Sequence, residues 1–247
     1  MGLELIYPTG TTDACRYAAD FLAQAGIRLV DHPSPEITHL LLDVPSFQDS
    51  GQFRGGGDLK DLLRMLPADV TVIGGNLEPL EGRRRMDLLK NEGYLAQNAA
   101  ITAECAIQVA AAHMQSVFSG SPVLVIGWGR IGKCLALLLK GLGAQVLIAA
   151  RKEADRAMAA ALGFGAVDTA ALDPRPYRVV FNTVPYPILH TEGTEKSRTL
   201  LIELASKPGI SGSNVISARG LPGIYAPESA GRLMADTILR KFREGLS

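Results

Sequence analysis

The segment SPVLVIGWGRIGKCLALLLKGLGAQVLIAARK, residues 121–152, decides the fold of this chain. Residues 123–126 form an apolar run rich in β-branched side chains, which predicts a buried parallel strand. A G-x-G-x-x-G turn follows at once, then leucines at helical spacing, and then a second apolar run at 145–150. This order predicts a strand–helix–strand unit with glycines at its first turn.

The three glycines of this turn have separate roles in a dinucleotide-binding unit. Gly127 permits the tight turn, Gly129 lets the backbone approach a pyrophosphate, and Gly132 allows close packing of helix on strand. Arg130 and Ile131 begin the helix, whose free N–H groups and positive dipole end face the phosphates. The alternative is a glycine-rich turn that binds no ligand, but the flanking strands and helix favour a dinucleotide site.

The end of the second strand indicates which dinucleotide is bound. NAD-binding units place a carboxylate there, about 20 residues beyond the glycines, to accept hydrogen bonds from the ribose. This chain has Arg151 and Lys152 instead. A guanidinium grips a 2′-phosphate through two charge-assisted hydrogen bonds, so we predict NADP over NAD. The other interpretation is that both are solvated residues at the start of a surface helix, which leaves NAD open.

Composition excludes several classes of function. The chain has 247 residues with 25 basic and 25 acidic side chains, so its net charge of zero gives no support to nucleic-acid or membrane-surface binding. No apolar run reaches the length of a membrane span, and the N-terminus lacks the pattern of a signal peptide. The three cysteines are scattered and pair with no histidine, so we predict reduced thiols in the cytoplasm and no metal site.

The chain is expected to fold as two α/β domains. Residues 1–93 have the signals of a smaller N-terminal α/β domain, and residues 94–226 those of a Rossmann-type doubly wound parallel sheet. A long helix over 94–118 joins them, and Pro227 opens a final helix over 227–247 that returns to the first domain. We assign the substrate to the smaller domain and the dinucleotide to the larger one.

Several short elements are predicted outside the glycine unit. A helix capped by Thr11 or Thr12 ends at Gly26, and a short amphipathic helix covers residues 58–66. Residues 76–92 show no clear pattern. The predicted strands are 3–7, 27–30, 38–44, 70–73, 179–182, 200–204 and 215–218.

Three turns punctuated by proline or glycine follow predicted strands of the larger domain. Ligands of doubly wound sheets bind beyond the carboxyl ends of the strands, and loops there carry function. Each turn alone is ordinary, but three together at this edge predict a binding site. They are FNTVPY at 181–186, LIELASKPG at 201–209 and ARGLPGIYAPESAG at 218–231.

Together with NAAITAEC at 98–105 and VIGWGRIG at 125–132, these turns resemble the family of the dipicolinate synthase A subunit. The likeness is clear over residues 90–247 and only general before them. It implies a bacterial, cytosolic sporulation enzyme of dipicolinic acid biosynthesis, which oxidises a dihydrodipicolinate-type cyclic dicarboxylate to pyridine-2,6-dicarboxylate with NADP. The resemblance also implies a partner of the flavoprotein-like B type, the other half of the synthase, and we expect a homo-oligomer.

Some residues depart from the pattern of that family. SKPGISG at 206–212 lacks a second glycine and an acidic residue after the Pro-Gly, Arg219 stands where proline is usual, and Cys105 replaces a common glycine. The N-terminal domain is also shorter than is usual. Because these changes surround the expected substrate edge, they put the identity of the substrate in doubt rather than the cofactor site.

The chemistry and the resemblance together select the candidate site residues. A dicarboxylate needs cations and N–H donors, and Lys207 is expected to pair with one carboxylate. Glu104 is the expected general base, since a carboxylate in a closed cleft can have a raised pKa. The alternative for Lys207 is that it is a solvated turn residue, and the alternative for Glu104 is that it is a carboxylate on the surface of a helix. The other substrate-binding candidates are Thr102, Asn182, Thr183, Ser206, Gly209 and Gly223, and Thr183, Val184 and Pro185 are also assigned to the cofactor.

Two other functions stay open. An NAD(P)-dependent dehydrogenase or reductase of another small carboxylic acid would use the same two-domain cleft. Such an enzyme would place a histidine–carboxylate pair in the cleft. No histidine of this chain lies at a strand end where it could form that pair. A non-catalytic dinucleotide-binding subunit would bind the cofactor without turnover.

Overall fold

The structure, a computed structural model, describes residues 4–48, 50–55, 57–170, 172–191, 198–212 and 214–245. Its strands, in chain order, are β1 (Leu5–Pro8), β2 (Arg28–Leu29), β3 (His39–Leu41), β4 (Thr71–Gly74), β5 (Arg85–Asp87), β6 (Pro122–Ile126), β7 (Gln145–Ala149), β8 (Gly165–Val167), β9 (Val179–Asn182), β10 (Leu189–His190), β11 (Leu200–Glu203), β12 (Ile210–Ser211) and β13 (Val215–Ser217). Its helices are α1 (Asp13–Gln24), α2 (Leu59–Arg64), α3 (Glu92–His113), α4 (Arg130–Gly141), α5 (Glu153–Ala161), α6 (Leu221–Tyr225) and α7 (Pro227–Arg243), with a 3-10 turn at Leu88–Lys90.

The chain divides into two compact units. Unit 1 comprises Met1–Asn98 and Pro222–Ser247, and unit 2 comprises Ala99–Leu221. Helix α3 begins in unit 1 and ends in unit 2, whereas α7 belongs to unit 1. Within the described parts of the chain, no helix is both long enough and apolar enough to cross a membrane.

Unit 1 is built on a parallel five-stranded sheet of order β2-β1-β3-β4-β5. The strand order reverses between β1 and β3, so the sheet is doubly wound. Leu40 and Val72 are fully buried and form one apolar cluster with Leu59 and Leu63 of α2. All residues of β3 and β4 are buried, as expected for parallel strands that are covered on both faces.

The buried carboxylate of Asp43, which is 1% exposed, accepts the hydrogen bonds of the backbone at the start of α1. It lies beyond the carboxyl ends of β1 and β3. Its oxygens accept the backbone N–H of Thr11 at 3.0 Å, and the N–H and hydroxyl of Thr12 at 3.0 and 2.6 Å. Thr12 is the N-cap of α1 and accepts the N–H of Cys15. Burial, and secondarily Asp43, raise the pKa of the Cys15 thiol to about 12, so this thiol stays protonated.

Unit 2 is built on a parallel six-stranded sheet of order β13-β11-β9-β6-β7-β8. Counted from β6, this is the strand order of the dinucleotide-binding Rossmann fold. The order reverses between β6 and β9, which pair in register from Val123 with Val179 to Ile126 with Asn182. A separate parallel pair, β10 with β12, lies outside this sheet. The predicted α/β fold with parallel, doubly wound sheets is therefore confirmed.

The structure differs from the sequence-based prediction mainly in short elements. The unassigned stretch 76–92 contains β5 and the 3-10 turn, and the sequence does not predict the edge strand β8. Both strands have three residues, too few for an alternating pattern to become visible. Helix α3 ends at His113 rather than at residue 118. These differences leave the order of the main sheet unchanged.

Helices α1 and α7 approach each other closely at Gly231, a buried residue of α7. A Cβ at this position would lie 2.6 Å from the carbonyl oxygen of Ala14 and 2.8 Å from the backbone nitrogen of Ala18. Both atoms belong to the backbone of α1 and cannot move without shifting that helix. The missing side chain at Gly231 therefore sets the spacing of the two helices.

We expect Gly231→Ala to lower the free energy of unfolding by about 1–3 kcal/mol, because the added methyl group must push α7 away from α1. This loss outweighs the roughly 1 kcal/mol that alanine gains over glycine inside a helix. The matched control is Gly223→Ala in α6, where a Cβ would meet no atom within 4 Å. Urea unfolding of both variants is the measurement, and equal stability of the two would contradict the close approach.

Candidate functional site

The glycine turn of unit 2 lies where the strand order reverses, between the ends of β6 and β9. Gly127 has a φ of +107°, a conformation that side chains disfavour. A Cβ on Gly127 would collide with the hydroxyl of Thr183, and one on Gly132 would collide with the Gly127 carbonyl oxygen. Thr183 donates both its hydroxyl and its backbone N–H to the carbonyl of Ile126, each at 2.9 Å. Close packing of the two strand ends and α4 therefore requires both glycines.

Gly129 has a different environment from the other two glycines. A Cβ at Gly129 would meet no atom within 4 Å, so the backbone here can be approached closely. Gly129 is the N-cap of α4, which begins with Arg130 and Ile131, and as a glycine it has no side chain to cap the helix. A helix N-terminus beside an accessible glycine is the arrangement that binds a pyrophosphate. The residues present therefore fit the pyrophosphate of a dinucleotide.

The turn after β7 carries Arg151 and Lys152, and both side chains are exposed. The guanidinium of Arg151 lies 6.0 Å from the ring centroid of Tyr186, which belongs to the turn after β9. Lys152 is the N-cap residue of α5 and makes no capping hydrogen bond through its side chain. Within the described residues no carboxylate forms a salt bridge with Arg151. Its position therefore allows the predicted contact with a 2′-phosphate, which stays a prediction.

Arg156 holds the backbone of this turn, a role that the sequence does not reveal. One of its nitrogens, Nη1, donates to the carbonyls of Ala150 and Arg151 at 2.8 and 2.7 Å. The same nitrogen pairs with the carboxylate of Asp168 at 2.6 Å. Asp168 follows β8, a strand that the sequence does not predict, so this pairing could not be anticipated. From helical spacing alone Arg156 would be a solvated surface residue.

Glu203, the last residue of β11, is a buried carboxylate that the sequence-based list of candidates omits. It is 2% exposed and accepts four different N–H groups. The amide of Asn182 donates to both carboxylate oxygens at 2.9 Å, and the backbone N–H of Ala205 donates at 2.9 Å. The N–H groups of Gly209 and Ile210 donate at 2.7 and 2.9 Å. Glu203 therefore fixes the whole LASKPG turn.

Asn182 is fully buried, and its side chain is occupied by the protein itself. Its amide nitrogen donates to Glu203 and, at 2.9 Å, to the carbonyl of Val184, whose own N–H donates to the Asn182 amide oxygen at 3.0 Å. Both amide hydrogens are used. Asn182 therefore positions the turn after β9, and its expected contact with a substrate stays a prediction.

Gly209 is likewise held by the buried Glu203, because its N–H donates to that carboxylate. Its expected contact with a substrate stays a prediction. A Cβ on Gly209 would lie 2.6 Å from the Val184 carbonyl and 2.7 Å from the Tyr186 carbonyl, so this residue joins the two turns closely. Ser206 and Lys207 are exposed at the tip of the LASKPG turn.

The positions of the remaining candidate residues, on α3, on α6 and in the turn after β9, do not test whether they bind a ligand. Thr102 and Glu104 lie on α3, where Thr102 is buried and Glu104 is exposed. The role of Glu104 as a general base is argued from its burial in a closed cleft, but its side chain is exposed in this structure. Gly223 lies in α6 of unit 1, and Val184 and Pro185 continue the turn after β9. The functional roles of these residues stay predictions.

We expect Glu203→Ala to lower the free energy of unfolding by at least about 2 kcal/mol, because buried N–H groups lose their acceptor. Glu203→Gln should cost less, since one acceptor oxygen remains. The control is Glu153→Gln, an exposed carboxylate in the first turn of α5, which should cost less than about 1 kcal/mol. Urea unfolding checks the order, and a Glu203→Ala variant as stable as the control would contradict the role of Glu203.

No protein-family model matches the chain. The A subunit of dipicolinate synthase from Bacillus subtilis (strain 168) is 29% identical over 204 residues, which span 75% of this chain and 69% of that protein. The crystal structure of the Bacillus subtilis dipicolinate synthase A chain matches with a TM-score of 0.80 and 24% identity, over 99% of this chain and 97% of that one.

Two further solved structures have the same fold. The dipicolinate synthase A subunit of Bacillus halodurans matches with a TM-score of 0.77 and 23% identity, over 96% of both chains. An L-alanine dehydrogenase matches with a TM-score of 0.66 and 13% identity, over 98% of this chain and 82% of that one. These likenesses show a shared fold, and the resemblance predicted from the turn motifs is confirmed. The chain is therefore a relative of the dipicolinate synthase A subunit.

Proposed function

We propose that the chain is an NADP-dependent oxidoreductase that oxidises a dihydrodipicolinate-type cyclic dicarboxylate to pyridine-2,6-dicarboxylate. One observation carries this proposal: the accessible backbone at Gly129, the N-cap of α4, lies at the point where strand order reverses, in a relative of the dipicolinate synthase A subunit. In doubly wound sheets, that point is where dinucleotides bind.

The proposed reaction removes a hydride and a proton from a dihydropyridine ring and leaves an aromatic ring. A bound NADP supplies the hydride acceptor, and the residues of the chain hold the reacting carbon in position and receive the proton. Aromatisation makes the step strongly downhill, so positioning is the main task of the protein. Glu104 is our proposed proton acceptor.

The proposed cofactor contacts come from three parts of unit 2. The backbone at Gly129, with Arg130 and Ile131 at the start of α4, holds the pyrophosphate. Arg151, assisted by Lys152, holds the 2′-phosphate, since a guanidinium binds a phosphate through paired charge-assisted hydrogen bonds. The turn that contains Thr183, Val184 and Pro185 borders the dinucleotide.

The proposed substrate contacts come from the LASKPG turn and from α3. Lys207 is exposed at the tip of a turn whose backbone N–H groups are bound by the buried Glu203. The ammonium group of Lys207 therefore projects from a turn that is held in place. We assign Lys207 to one carboxylate of the substrate, with Ser206 and Thr102 as further donors. Gly223 of α6 is assigned to the same substrate on the basis of the family resemblance.

The Bacillus subtilis relative is by name the A subunit of its synthase, which implies that the enzyme has a second component. We propose that this chain likewise works with a flavoprotein-like B subunit in the bacterial cytoplasm during sporulation, and that it forms a homo-oligomer. The second candidate function is a dehydrogenase of another small carboxylic acid, which the shared fold of an L-alanine dehydrogenase favours. A non-catalytic dinucleotide-binding subunit is the third.

The decisive experiment supplies the purified chain with the cyclic dihydrodipicolinate precursor and NADP, alone and with a candidate B subunit. We expect pyridine-2,6-dicarboxylate and NADPH to form in equal amounts, because one hydride leaves the ring for each aromatic product. Both are followed by absorbance. Turnover of another small carboxylic acid instead would support the second candidate, and cofactor binding without any turnover would support the third.

Lys207→Ala is expected to raise the Michaelis constant of the substrate by about tenfold or more, because a charge-assisted hydrogen bond is lost. The dissociation constant of NADP should stay unchanged. The control is Arg175→Ala, since Arg175 is an exposed residue in the loop before β9, at the opposite end of the sheet. Steady-state kinetics of the three proteins checks this, and an unchanged Michaelis constant would remove Lys207 from the site.

Arg151→Asp is expected to weaken NADP binding by about a hundredfold while changing NAD binding far less, because the carboxylate repels the 2′-phosphate that the guanidinium attracts. Lys152→Gln is the matched variant and should have a smaller effect in the same direction. Titration calorimetry with both dinucleotides measures the ratio. An equal loss for NAD and NADP would show that Arg151 does not contact the 2′-phosphate.

A further inference from the structure

We propose that Tyr186 forms the adenosine end of the cofactor site together with Arg151, with the phenol ring stacking on the adenine and the guanidinium holding the 2′-phosphate. This inference rests on the proposed use of NADP and assigns a role to Tyr186, the last residue of the FNTVPY turn, which is not among the candidate residues selected from the sequence. It concerns unit 2 alone, because both side chains belong to that unit.

Arg151 and Tyr186 lie on neighbouring turns at one edge of the sheet of unit 2. Arg151 follows β7 and Tyr186 belongs to the turn after β9, and these two strands lie on either side of β6. The contact between the guanidinium and the ring, 6.0 Å to the centroid, therefore spans the end of β6, where the glycine turn begins. A dinucleotide with its pyrophosphate on that turn has its adenosine directed toward this end of the sheet.

Both side chains project from backbone that is held in place. Arg156 donates to the carbonyls of Ala150 and Arg151 and is itself paired with Asp168. The backbone at Tyr186 packs closely against Gly209, since a Cβ on Gly209 would lie 2.7 Å from the Tyr186 carbonyl oxygen. A rigid base under each side chain is what preorganised ligand recognition requires.

The exposed part of the Tyr186 ring is available to a ligand. Tyr186 remains 48% exposed although it contacts Arg151, so much of the aromatic surface faces solvent. A cation–π contact at an exposed site is weak, so the ring can also accept a stacking ligand at little cost. Stacking of a nucleobase on an aromatic side chain is a stronger interaction, and a guanidinium beside it suits a phosphate.

The spacing of the two groups matches the chemistry of the ligand. In NADP, the adenine and the 2′-phosphate are attached to neighbouring carbons of one ribose. A ring and a guanidinium with 6.0 Å between the centroid and the guanidinium carbon can therefore contact both substituents of the same nucleoside. NAD offers only the adenine to this pair. Tyr186 thus contributes affinity for both dinucleotides, and Arg151 contributes the preference for NADP.

The test uses two fragments, adenosine 2′,5′-bisphosphate and adenosine 5′-monophosphate, which differ only in the 2′-phosphate and lack the nicotinamide. Binding to the whole chain is measured by titration calorimetry. The fluorescence of Trp128 serves as a second signal, since it is the single tryptophan and lies between Gly127 and Gly129. Neither measurement requires substrate, partner protein or turnover.

Tyr186→Ala is expected to weaken both fragments to a similar degree, by about tenfold, because the stacking surface is lost. Tyr186→Phe should retain most of the affinity, since the ring remains. Arg151→Gln should weaken the bisphosphate by about tenfold or more and leave the monophosphate nearly unchanged. The matched control is Tyr225→Ala in α6, a tyrosine with the same 48% exposure, which should change neither affinity.

The outcomes separate this inference from the proposed reaction. Unchanged fragment affinities in Tyr186→Ala, or no binding of either fragment to the wild-type chain, would overturn the role of Tyr186 even if the enzyme reduces NADP. The expected fragment pattern in a chain that does not oxidise the dihydrodipicolinate precursor would support the adenosine site and refute the proposed substrate.

Discussion

The buried carboxylate of Glu203 is the constraint on which the candidate site depends. It receives the amide of Asn182 and the backbone N–H groups of Ala205, Gly209 and Ile210, with no lysine or arginine paired to it among the described residues. A carboxylate in such a place is tolerated only because its hydrogen-bond partners replace water. Removing it would leave the turns after β9 and β11 without a shared anchor.

This anchor joins the two functions proposed for the edge of unit 2. Asn182 and Gly209 connect the turn that ends in Tyr186, the proposed cofactor contact, to the turn that carries Lys207, the proposed substrate contact. The buried side chains hold the backbone from which the exposed side chains project. The residues that position these turns and the residues proposed to contact ligands are therefore distinct groups, although they are neighbours in the sequence.

The sequence predicts the parts of this arrangement that depend on local pattern. The strand–glycine–helix order, the Thr12 cap and the opening of α7 at Pro227 are all confirmed, because periodicity and capping are local properties. Glu203 and Arg156 could not be assigned in the same way. Glu203 binds Asn182, which is distant in the sequence, and Arg156 binds the backbone of a turn and Asp168. A polar residue at a strand end or on a helix does not reveal such partners, because most residues of this kind are solvated.

The two sheets of the chain show why a reversal of strand order does not by itself make an anion site. In unit 1, the start of α1 follows such a reversal, but Asp43 accepts the N–H groups of Thr11 and Thr12, so the protein supplies its own anion. In unit 2, the N-cap of α4 is Gly129, which has no side chain to supply such an acceptor. A Cβ there would meet no atom within 4 Å, so the backbone is accessible to a ligand. Because an acidic side chain occupies the first helix start and a glycine the second, we expect the anionic part of a ligand at unit 2.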